Sequence, residues 1–386
     1  MSTIRVNNLQ NTSTTDGGIS INNSGHVTVD GVAMPSSGPL SNRNLIINGA
    51  MQVAQRATQV TGITSAGYNT VDRFKVELNG IGTYTFDQAA DAPDDFTSSY
   101  KATCTTANAS PAAGAYGYFA YKVEAQDLQQ LNYGSSAAKA MTLSFWVKSN
   151  KTGNSTVTIL QRDNSIQLLS PQYSISAADT WEYKTISIPG DTGGLFNNDN
   201  GSGLEFEFYW NAGSTYTSGS HQTTWSTYAN ANRCPSALGV GGATSDYFAI
   251  TGVQLEVGSV ATPFEHRSYS DELARCQRYY CHYGSPFTTL TAGLRVGQGF
   301  CTASTQAHII LPTGKGKMRA DPTPDFSDVQ INDAATNTTV SSFGDVVAHN
   351  GHVYLAINTS SGLTEGRGCN IRFNSTSAKI TLDAEL

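Results

Sequence analysis

One segment of the chain combines the residue types that proteins use to hold sugars. Residues 209–233 read YWNAGSTYTSGSHQTTWSTYANANR, with aromatic rings set among amide, hydroxyl and imidazole groups. Sugar recognition needs aromatic faces for stacking and polar groups for the sugar hydroxyls. We therefore predict a long glycan-binding loop here, with the contact residues Tyr216, His221, Gln222, Trp225 and Tyr228. In the alternative interpretation each ring only anchors the loop, and Trp210, at the end of an alternating strand, belongs to the core.

Motifs of catalysis are absent from the sequence. It contains no G-x-S-x-G, no H-E-x-x-H and no P-loop. Cleavage of a glycosidic bond would need two carboxylates at a defined separation. No spacing pairs any two of the acidic candidates, which are Asp91, Asp94, Asp95, Asp191, Asp199, Glu205 and Glu207. We therefore predict no enzymatic activity, with polysaccharide cleavage as the weaker alternative.

Two other groupings concern metals. The stretch from Asp191 to Gly201 is rich in carboxylate and amide oxygens, the ligands that calcium prefers. An EF-hand alignment fails because it places Phe196 at the first ligand position. Two interpretations of this stretch remain, a structural calcium site near Asp191 and Asp199 or a flexible loop tip. No other cofactor is expected. His349 and His352 flank the turn Asn350-Gly351, and we interpret them as surface residues of a hairpin.

Composition removes several classes of function. Only 14 % of residues are charged, the net charge is −7, and no block of Lys and Arg exists, so we expect no nucleic-acid binding. The chain starts without an apolar signal region and has no run of about 18 apolar residues, so we expect synthesis in a cytoplasm and no membrane insertion. Scattered cysteines predict free thiols, at Cys104, Cys234, Cys276, Cys281, Cys301 and Cys369.

The elements that would carry these residues are almost all strands. Apolar and polar residues alternate with period two in many short segments, so each strand has an inward and an outward face. The clearest cases in residues 41–268 predict a jelly-roll β-sandwich, at 141–148, 156–160, 183–188, 204–210 and 250–257. Residues 285–386 return to strands and predict a small C-terminal β-sandwich domain.

Residues 1–40 form a segment of very short strands, at Ile4–Val6, Ile19–Ile21 and His26–Val29. Strands of this length build no core within one chain. The segment is therefore expected to intertwine with other copies or to attach to another protein. A floppy tail is the alternative.

A single convincing helix signal lies between the two β domains. We predict a connecting segment at 269–284 whose helix runs from Ser270 to Tyr280, with Ser270 or Asp271 as its N-cap. One face of that helix carries Leu273, Cys276, Gln277 and Tyr280. Three turns of helix are marginal alone in water, so this face must pack on something.

Several phrases in this order resemble a known family. They are NRNLIING and YNTVDRF, then LSFWVKS, WEYKTISIP, ITGVQLEVG and ELARCQRYY, followed by Met318-Arg319 before Pro322-Thr323 and by the terminal LDAEL. Together they resemble tail-fibre and related virion surface proteins of bacterial viruses that carry a carbohydrate-binding-module-like jelly roll. The resemblance covers about residues 41–285, and further phrases match a small C-terminal domain.

The resemblance implies a virion surface protein made in the host cytoplasm. It implies a homotrimeric tail fibre or receptor-binding protein that attaches to host-cell surface glycans and to other virion proteins through residues 1–40. In such proteins helices like the one after Ser270 meet near a threefold axis, so its apolar face becomes the oligomerisation surface; packing on its own sandwich is equally open. A structural calcium is also common there. The functional alternative is a capsid decoration or head-fibre protein with a purely structural role.

Overall fold

The computed structural model describes residues 8–10, 18–23, 25–35, 41–163, 165–285, 293–314, 316–334 and 336–386. The chain divides into two compact units. The sandwich unit comprises Met1–Gln52, Gln59–Asn69 and Phe74–His266, and the barrel unit comprises Val53–Thr58, Thr70–Arg73 and Arg267–Leu386. Strands make up nearly all of the regular structure, which confirms the all-β prediction. Among the described helices none is long and apolar enough to cross a membrane.

The N-terminal strands form a small antiparallel sheet in the order β1 (Asn8–Gln10), β2 (Gly18–Ile21), β3 (Val27–Val29) and β4 (Val32–Ala33). The predicted strands at 19–21 and 26–29 are present in it, whereas Ile4–Val6 lies outside the described residues. Its register pairs Ile19 with Val29 and Val29 with Val32, so these side chains share one face, and all three are exposed. Ser20 and Thr28 pair on the opposite face.

The sandwich is built from twelve strands that pair only in antiparallel fashion. Their order is β13-β9-β16-β7-β6-β8-β14-β10-β11-β15, with β12 on β10 and β5 on β6. The bounds are β5 (Gln59–Gly67), β6 (Phe74–Ala89), β7 (Ser99–Ala107), β8 (Tyr116–Glu124), β9 (Met141–Ser149), β10 (Gly153–Gln161), β11 (Gln167–Leu169), β12 (Gln172–Ile175), β13 (Glu182–Ile188), β14 (Ser202–Ala212), β15 (Ser226–Thr227) and β16 (Tyr247–Val257). A one-turn helix α1 (Ser214–Thr217) and two 3-10 turns (Ala125–Leu131, Asn230–Asn232) lie in its loops.

Strand β6 links the two layers of the sandwich. Its first part pairs with β8 and its second part with β7, and the change of partner falls at Gly80 and Gly82. Both glycines have positive φ, of 65° and 112°, a backbone conformation that costs glycine nothing. At Gly82 a Cβ atom would also lie 2.3 Å from the Thr106 carbonyl oxygen. Glycine is therefore required where the strand bends.

The core of the sandwich is aromatic. Trp210 is fully buried, as its place at the end of an alternating strand predicts. Its ring centroid lies 5.9 Å from Tyr84, 4.9 Å from Phe119 and 6.1 Å from Phe248, in tilted arrangements that aromatic pairs favour. These rings come from strands of both layers and fix the distance between them.

The barrel unit begins with helix α2 (Tyr269–Cys276). Six strands close into a barrel in the order β18-β19-β23-β22-β21-β24, and β17-β25-β20 form a separate three-stranded sheet. The bounds are β17 (Tyr280–Gly284), β18 (Arg295–Ala303), β19 (Gln306–Pro312), β20 (Thr323–Ser327), β21 (Val329–Asn332), β22 (Asn337–His349), β23 (His352–Thr359), β24 (Gly368–Phe373) and β25 (Lys379–Asp383). The expected C-terminal β domain is therefore a closed barrel rather than two open layers. Closure depends on the pairing of β18 with β24, which alternation within single strands does not encode.

Helix α2 is shorter than the sequence suggests. Ser268 caps it, since its side chain accepts a hydrogen bond from the Asp271 amide, and Gln277 is the C-cap. Tyr280 then opens β17 and pairs with Asp383. The helical periodicity continues to Tyr280, but strand pairing with the end of the chain takes that residue out of the helix. All six cysteines are buried and free.

Candidate functional site

The groove on the outer face of the sandwich starts from two aromatic residues on neighbouring strands. Alternation along β9 turns Phe145 into the core and Trp146 outward, and Trp146 is paired in register with Tyr183 of β13. Their ring centroids lie 5.4 Å apart with an angle of 51° between the planes, and Tyr183 is 44% exposed. The two rings thus form an open, partly apolar floor.

A glycine allows one wall of the groove to approach this floor. Strand β16 has an irregular register against β9 between Thr251 and Gln254, and Gly252 lies there with a φ of 60°. A Cβ atom at Gly252 would lie 2.7 Å from the Phe96 ring and 2.9 Å from the Trp146 ring. The absence of that atom lets Phe96 close in beside Trp146.

Further aromatic and apolar residues complete the groove. Phe96 meets Phe264 edge to face at 5.0 Å, and the His266 ring lies 5.3 Å from Phe96. Residues 31–33 of the N-terminal segment and 261–263 of the loop after β16 also line it. The space has a volume of about 900 Å³. This is the size range of pockets that bind small ligands.

The charges at the groove are all acidic among its described lining residues. Asp94 and Asp95 lie at the rim, both exposed, and Asp95 has a φ of 70°, which is unusual for a residue other than glycine. The neighbouring Asp91 is occupied by Lys148 at 2.9 Å and by the Trp181 indole at 3.1 Å. Partial burial acts to raise the pKa of Asp91, but these two hydrogen bonds outweigh it and hold the pKa below its usual value.

The groove can therefore offer a sugar two kinds of contact. The Trp146 and Tyr183 rings supply faces for stacking against the C–H side of a pyranose, and Asp94 and Asp95 supply hydrogen-bond acceptors for hydroxyl groups. Partial burial raises the pKa of Tyr183, so its phenol remains a neutral donor. The sequence analysis missed this site because its residues come from separated segments. One sequence signal for the site was present. Trp146 occupies an outward-facing position of a strand whose inward-facing positions are already apolar, so an additional aromatic ring lies on the outer face.

The loop predicted to bind glycan has a different character. Both ring nitrogens of His221 are engaged, Nδ1 at 2.8 Å from the Ser170 carbonyl oxygen and Nε2 at 3.0 Å from the Ser236 hydroxyl. The Trp225 indole donates to the Pro189 carbonyl oxygen at 2.7 Å, and the Gln222 side chain donates to a carbonyl within its own loop. The ring nitrogens of His221, the Trp225 indole and the side-chain nitrogen of Gln222 are therefore already engaged within the protein.

The tyrosines of that loop gather around Arg233. Arg233 pairs with Glu207 through two hydrogen bonds, of 2.5 and 3.2 Å, and both side chains are buried. Its guanidinium lies 5.2 Å from the Tyr216 ring centroid and 6.0 Å from that of Tyr228. Burial raises the pKa of Glu207 to about 6, although Arg233 acts in the opposite direction. This geometry suits the anchoring role, and the assignment of these five residues to glycan binding stays a prediction.

The loop considered for calcium has one carboxylate with an open acceptor. Asp191 is buried, and while Oδ1 accepts from the Gly193 amide, Oδ2 has no hydrogen-bond partner in the described part of the chain. The Gln161 side-chain oxygen lacks a partner in the same way. A methyl group at Gly194 would lie 2.2 Å from Asp191 Oδ2 and 3.2 Å from Gln161 Nε2, so both side chains face the same small space.

These two oxygens fit the donor chemistry of calcium, but they do not complete a shell of six to eight ligands. Asp199 is exposed and accepts from the Gly201 amide. The described residues contain no group of three or more His, Cys, Asp or Glu side chains placed to hold a metal ion. Asp191 and Gln161 would therefore hold the ion together with water or backbone oxygens.

The proposed oligomerisation residues divide by burial. Cys276 and Tyr280 are buried inside the barrel unit, and burial raises the pKa of the Cys276 thiol well above its ordinary value. Leu273 and Gln277 are half-buried, and Gln277 packs beside Gly314. The chain itself therefore buries two of the four residues on this helix face. Leu273 and Gln277 keep part of their surface accessible to another copy of the chain.

Three of the phrases that carry the family resemblance contribute residues to one buried cluster of the barrel unit. Arg73 pairs with Glu385 and stacks over the Tyr279 ring at 3.4 Å. Arg56 lies 3.7 Å from Asp72 and stacks over the Tyr280 ring at 3.6 Å. YNTVDRF, QRYY and LDAEL are thus joined by ion pairs and cation–π contacts. These contacts stabilise the fold of the barrel unit.

The predicted hairpin around Asn350-Gly351 is confirmed. It joins β22 and β23, and His349 pairs in register with His352, with ring centroids 5.1 Å apart. Gly351 takes a φ of 75°, as a tight turn requires.

Comparison with known proteins gives limited information. No protein-family model matches the chain, and no curated protein is significantly similar to it. Among solved structures, the enzymatically active domain of tailspike protein 4 from bacteriophage CBA120 is similar at a TM-score of 0.28 and 15% identity, covering 55% of this chain and 21% of that one. A family 4 carbohydrate-binding module is similar at a TM-score of 0.28 and 11% identity, over 54% of this chain and 97% of the module.

A xylan-binding CBM22 domain from Paenibacillus barcinonensis is similar at a TM-score of 0.28 and 10% identity, over 56% of this chain and 96% of the domain. All three TM-scores lie below the level at which a shared fold is inferred. The chain also spans about a fifth of the tailspike domain's length, 21%. We therefore infer the function from the residues of this chain.

Proposed function

We propose that the protein is a non-enzymatic virion protein of a bacterial virus, a trimeric tail fibre or receptor-binding protein that contacts glycans on the host surface. The observation that carries the glycan part is the open groove with Trp146 and Tyr183 on its floor. Two aromatic faces beside carboxylate acceptors match what a sugar ring presents, namely an apolar C–H face and a rim of hydroxyl groups. The viral setting is supported by the order of the sequence phrases.

Binding by one such groove would be weak, and the trimer makes it effective. Three grooves on one rigid particle raise the apparent affinity by orders of magnitude when the host surface repeats the glycan. Residues 1–40 would attach the protein to other virion proteins. No chemical step is required of the groove, and its carboxylates act as hydrogen-bond acceptors.

The direct test is adsorption of the purified protein to host cells, with periodate-treated cells as the control. Periodate cleaves vicinal diols of sugars and leaves protein receptors largely intact. We expect saturable binding that periodate abolishes, and a solution mass by light scattering near three times the 41.0 kDa of the chain. Binding that survives periodate would contradict the glycan proposal, and a stable monomer would contradict the trimer.

One observation favours a second function. The N-terminal sheet exposes Ile19, Ile21, Val29 and Val32, an apolar surface that suits docking on other coat subunits. A capsid decoration or head-fibre protein would use this surface and no sugar. It predicts binding to virion particles that lack the protein, together with no saturable adsorption to host cells.

A further inference from the structure

The rim of the groove carries two carboxylates that the protein leaves without partners. Asp94 and Asp95 are exposed, and within the described residues neither forms a hydrogen bond or an ion pair. They follow Pro93 in a turn that is closed by the Phe96 amide donating to the Pro93 carbonyl oxygen at 3.2 Å. That turn holds both carboxylates beside Phe96, on the wall of the groove.

No cation compensates these charges at the groove. Its described lining residues include neither Lys nor Arg. Lys148, which is close in sequence to Trp146, is committed to Asp91 at 2.9 Å and lies over the Trp181 ring. Arg43 does not line the groove, and it pairs with Glu256 and donates to the Thr262 hydroxyl and the Pro263 carbonyl oxygen. A ligand in the groove therefore meets uncompensated negative charge.

We infer that the groove selects sugars that are neutral or carry a free amine and rejects sugars that carry a carboxylate, such as uronic and sialic acids. This inference rests on the proposed function, since it names the ligand class of the same site. Ionised carboxylates only accept hydrogen bonds, so they suit hydroxyl and ammonium donors. A carboxylated sugar would meet like charges at hydrogen-bond distance, and placing like charges together is unfavourable.

The aromatic floor makes the preference depend on position. Stacking on Trp146 and Tyr183 fixes the plane of one sugar ring, so its substituents point toward the walls. Asp94 and Asp95 adjoin Phe96, and the Phe96 ring contacts Phe264 and His266, so the acidic rim lies at one aromatic edge of the groove. A sugar stacked on the floor places an amine or a hydroxyl favourably only where the substituent points toward this edge.

The experiment is a glycan array that contains matched sets differing in one group, a free amine, an N-acetyl group or a carboxylate, at the same ring position. The full-length protein is applied at low and at physiological salt. Neutral or amine-bearing members should bind and their carboxylated counterparts should not. The selectivity should weaken at higher salt because the rim is exposed.

A pair of variants assigns the effect to the rim. The double variant Asp94→Asn and Asp95→Asn keeps the shape and the acceptor oxygens and removes the charge. We expect the double variant to bind amine-bearing sugars about fivefold more weakly, because exposed ion pairs contribute up to about 1 kcal/mol to binding. We also expect it to bind the carboxylated members of the array. The matched control is Asp325→Asn, an exposed carboxylate on β20 in the barrel unit, which should change neither.

The outcomes separate this inference from the proposed function. Trp146-dependent binding of carboxylated sugars by the unaltered protein, as strong as that of their neutral counterparts, would overturn the inference and leave glycan binding in place. Unchanged selectivity in the double variant would also overturn it. No binding to any member, together with no adsorption to host cells, would overturn the proposed function itself.

Discussion

Two aromatic regions of the sandwich unit contain similar residue types and differ in how many of their polar groups the fold engages. The loop at 209–233 is rich in rings and polar groups, but its imidazole, its indole and its arginine are bound to the protein. The groove on the outer face has fewer aromatic residues, but the rings of Trp146 and Tyr183 form an open floor. Asp94 and Asp95 have no hydrogen-bond or ion-pair partner among the residues that the structure describes. A binding site is marked by groups that the fold leaves unsatisfied, and residue composition alone does not reveal them.

The largest effect is expected at the anchored region. Arg233→Ala removes the partner of the buried Glu207 carboxylate and the support of Tyr216 and Tyr228. Breaking a buried pair from one side leaves an uncompensated charge, so we expect a loss of about 3–5 kcal/mol in the free energy of unfolding. Urea unfolding measures it. The matched control is Lys379→Ala, whose pair with Asp325 is exposed on both sides and should cost less than about 1 kcal/mol. Equal losses in both variants would break the comparison.

Calcium would strengthen the anchored region further. Asp191 lies two residues after Pro189, whose carbonyl oxygen accepts from Trp225. The Asp191 Oδ2 atom is buried and has no hydrogen-bond partner in the described part of the chain. At a calcium concentration one hundred times Kd, binding to the folded state alone would add about 2.7 kcal/mol of stability. A rise in Tm with calcium that Asp191→Asn abolishes and Asp199→Asn retains is the expected result. If calcium does not raise the Tm, the protein does not bind calcium at Asp191.

The pH dependence of stability should carry the signature of the same region. Burial raises the pKa of Glu207 from 4.5 to about 6, so the folded state binds its proton more tightly than the unfolded state. The contribution is fully present below about pH 4.5 and is lost as the pH rises through about 6. Glu207→Gln should remove this slope. An identical slope in wild type and variant would show that the pKa of Glu207 is not raised.

Much of the fold follows from local patterns. Alternation of apolar and polar residues predicts the strands at 141–148, 204–210 and 250–257. It also predicts that Trp210 lies in the core, because the inward and outward positions follow from the sequence of one strand. The hairpin at Asn350-Gly351 is equally local. The length of α2 is not, since Tyr280 leaves the helix to pair with Asp383, more than one hundred residues away.

The candidate site is non-local in the same sense. The groove needs the register of Tyr183 on Trp146 and a glycine at position 252 that admits Phe96. No contiguous sequence motif encodes the strand register or the approach of Phe96. The loop at 209–233 is one continuous segment, so its composition is easily recognised in the sequence. The phrases of the family resemblance divide between two places. LSFWVKS, WEYKTISIP and ITGVQLEVG contain the groove residues Trp146, Tyr183 and Gly252, whereas YNTVDRF and LDAEL supply Asp72, Arg73 and Glu385 of the buried cluster.

The central claim is that glycans bind on the Trp146–Tyr183 floor, and titration calorimetry of two variants tests it most directly. The ligand is a glycan that the unaltered protein binds, and the variants are Trp146→Ala and Trp225→Ala. Truncating a tryptophan at the centre of a contact costs more than about 1 kcal/mol, so Trp146→Ala should weaken binding about fivefold or more. Trp225→Ala should leave the affinity unchanged within about twofold. The reverse pattern, with binding lost in Trp225→Ala and retained in Trp146→Ala, would contradict the account and return the site to the loop at 209–233.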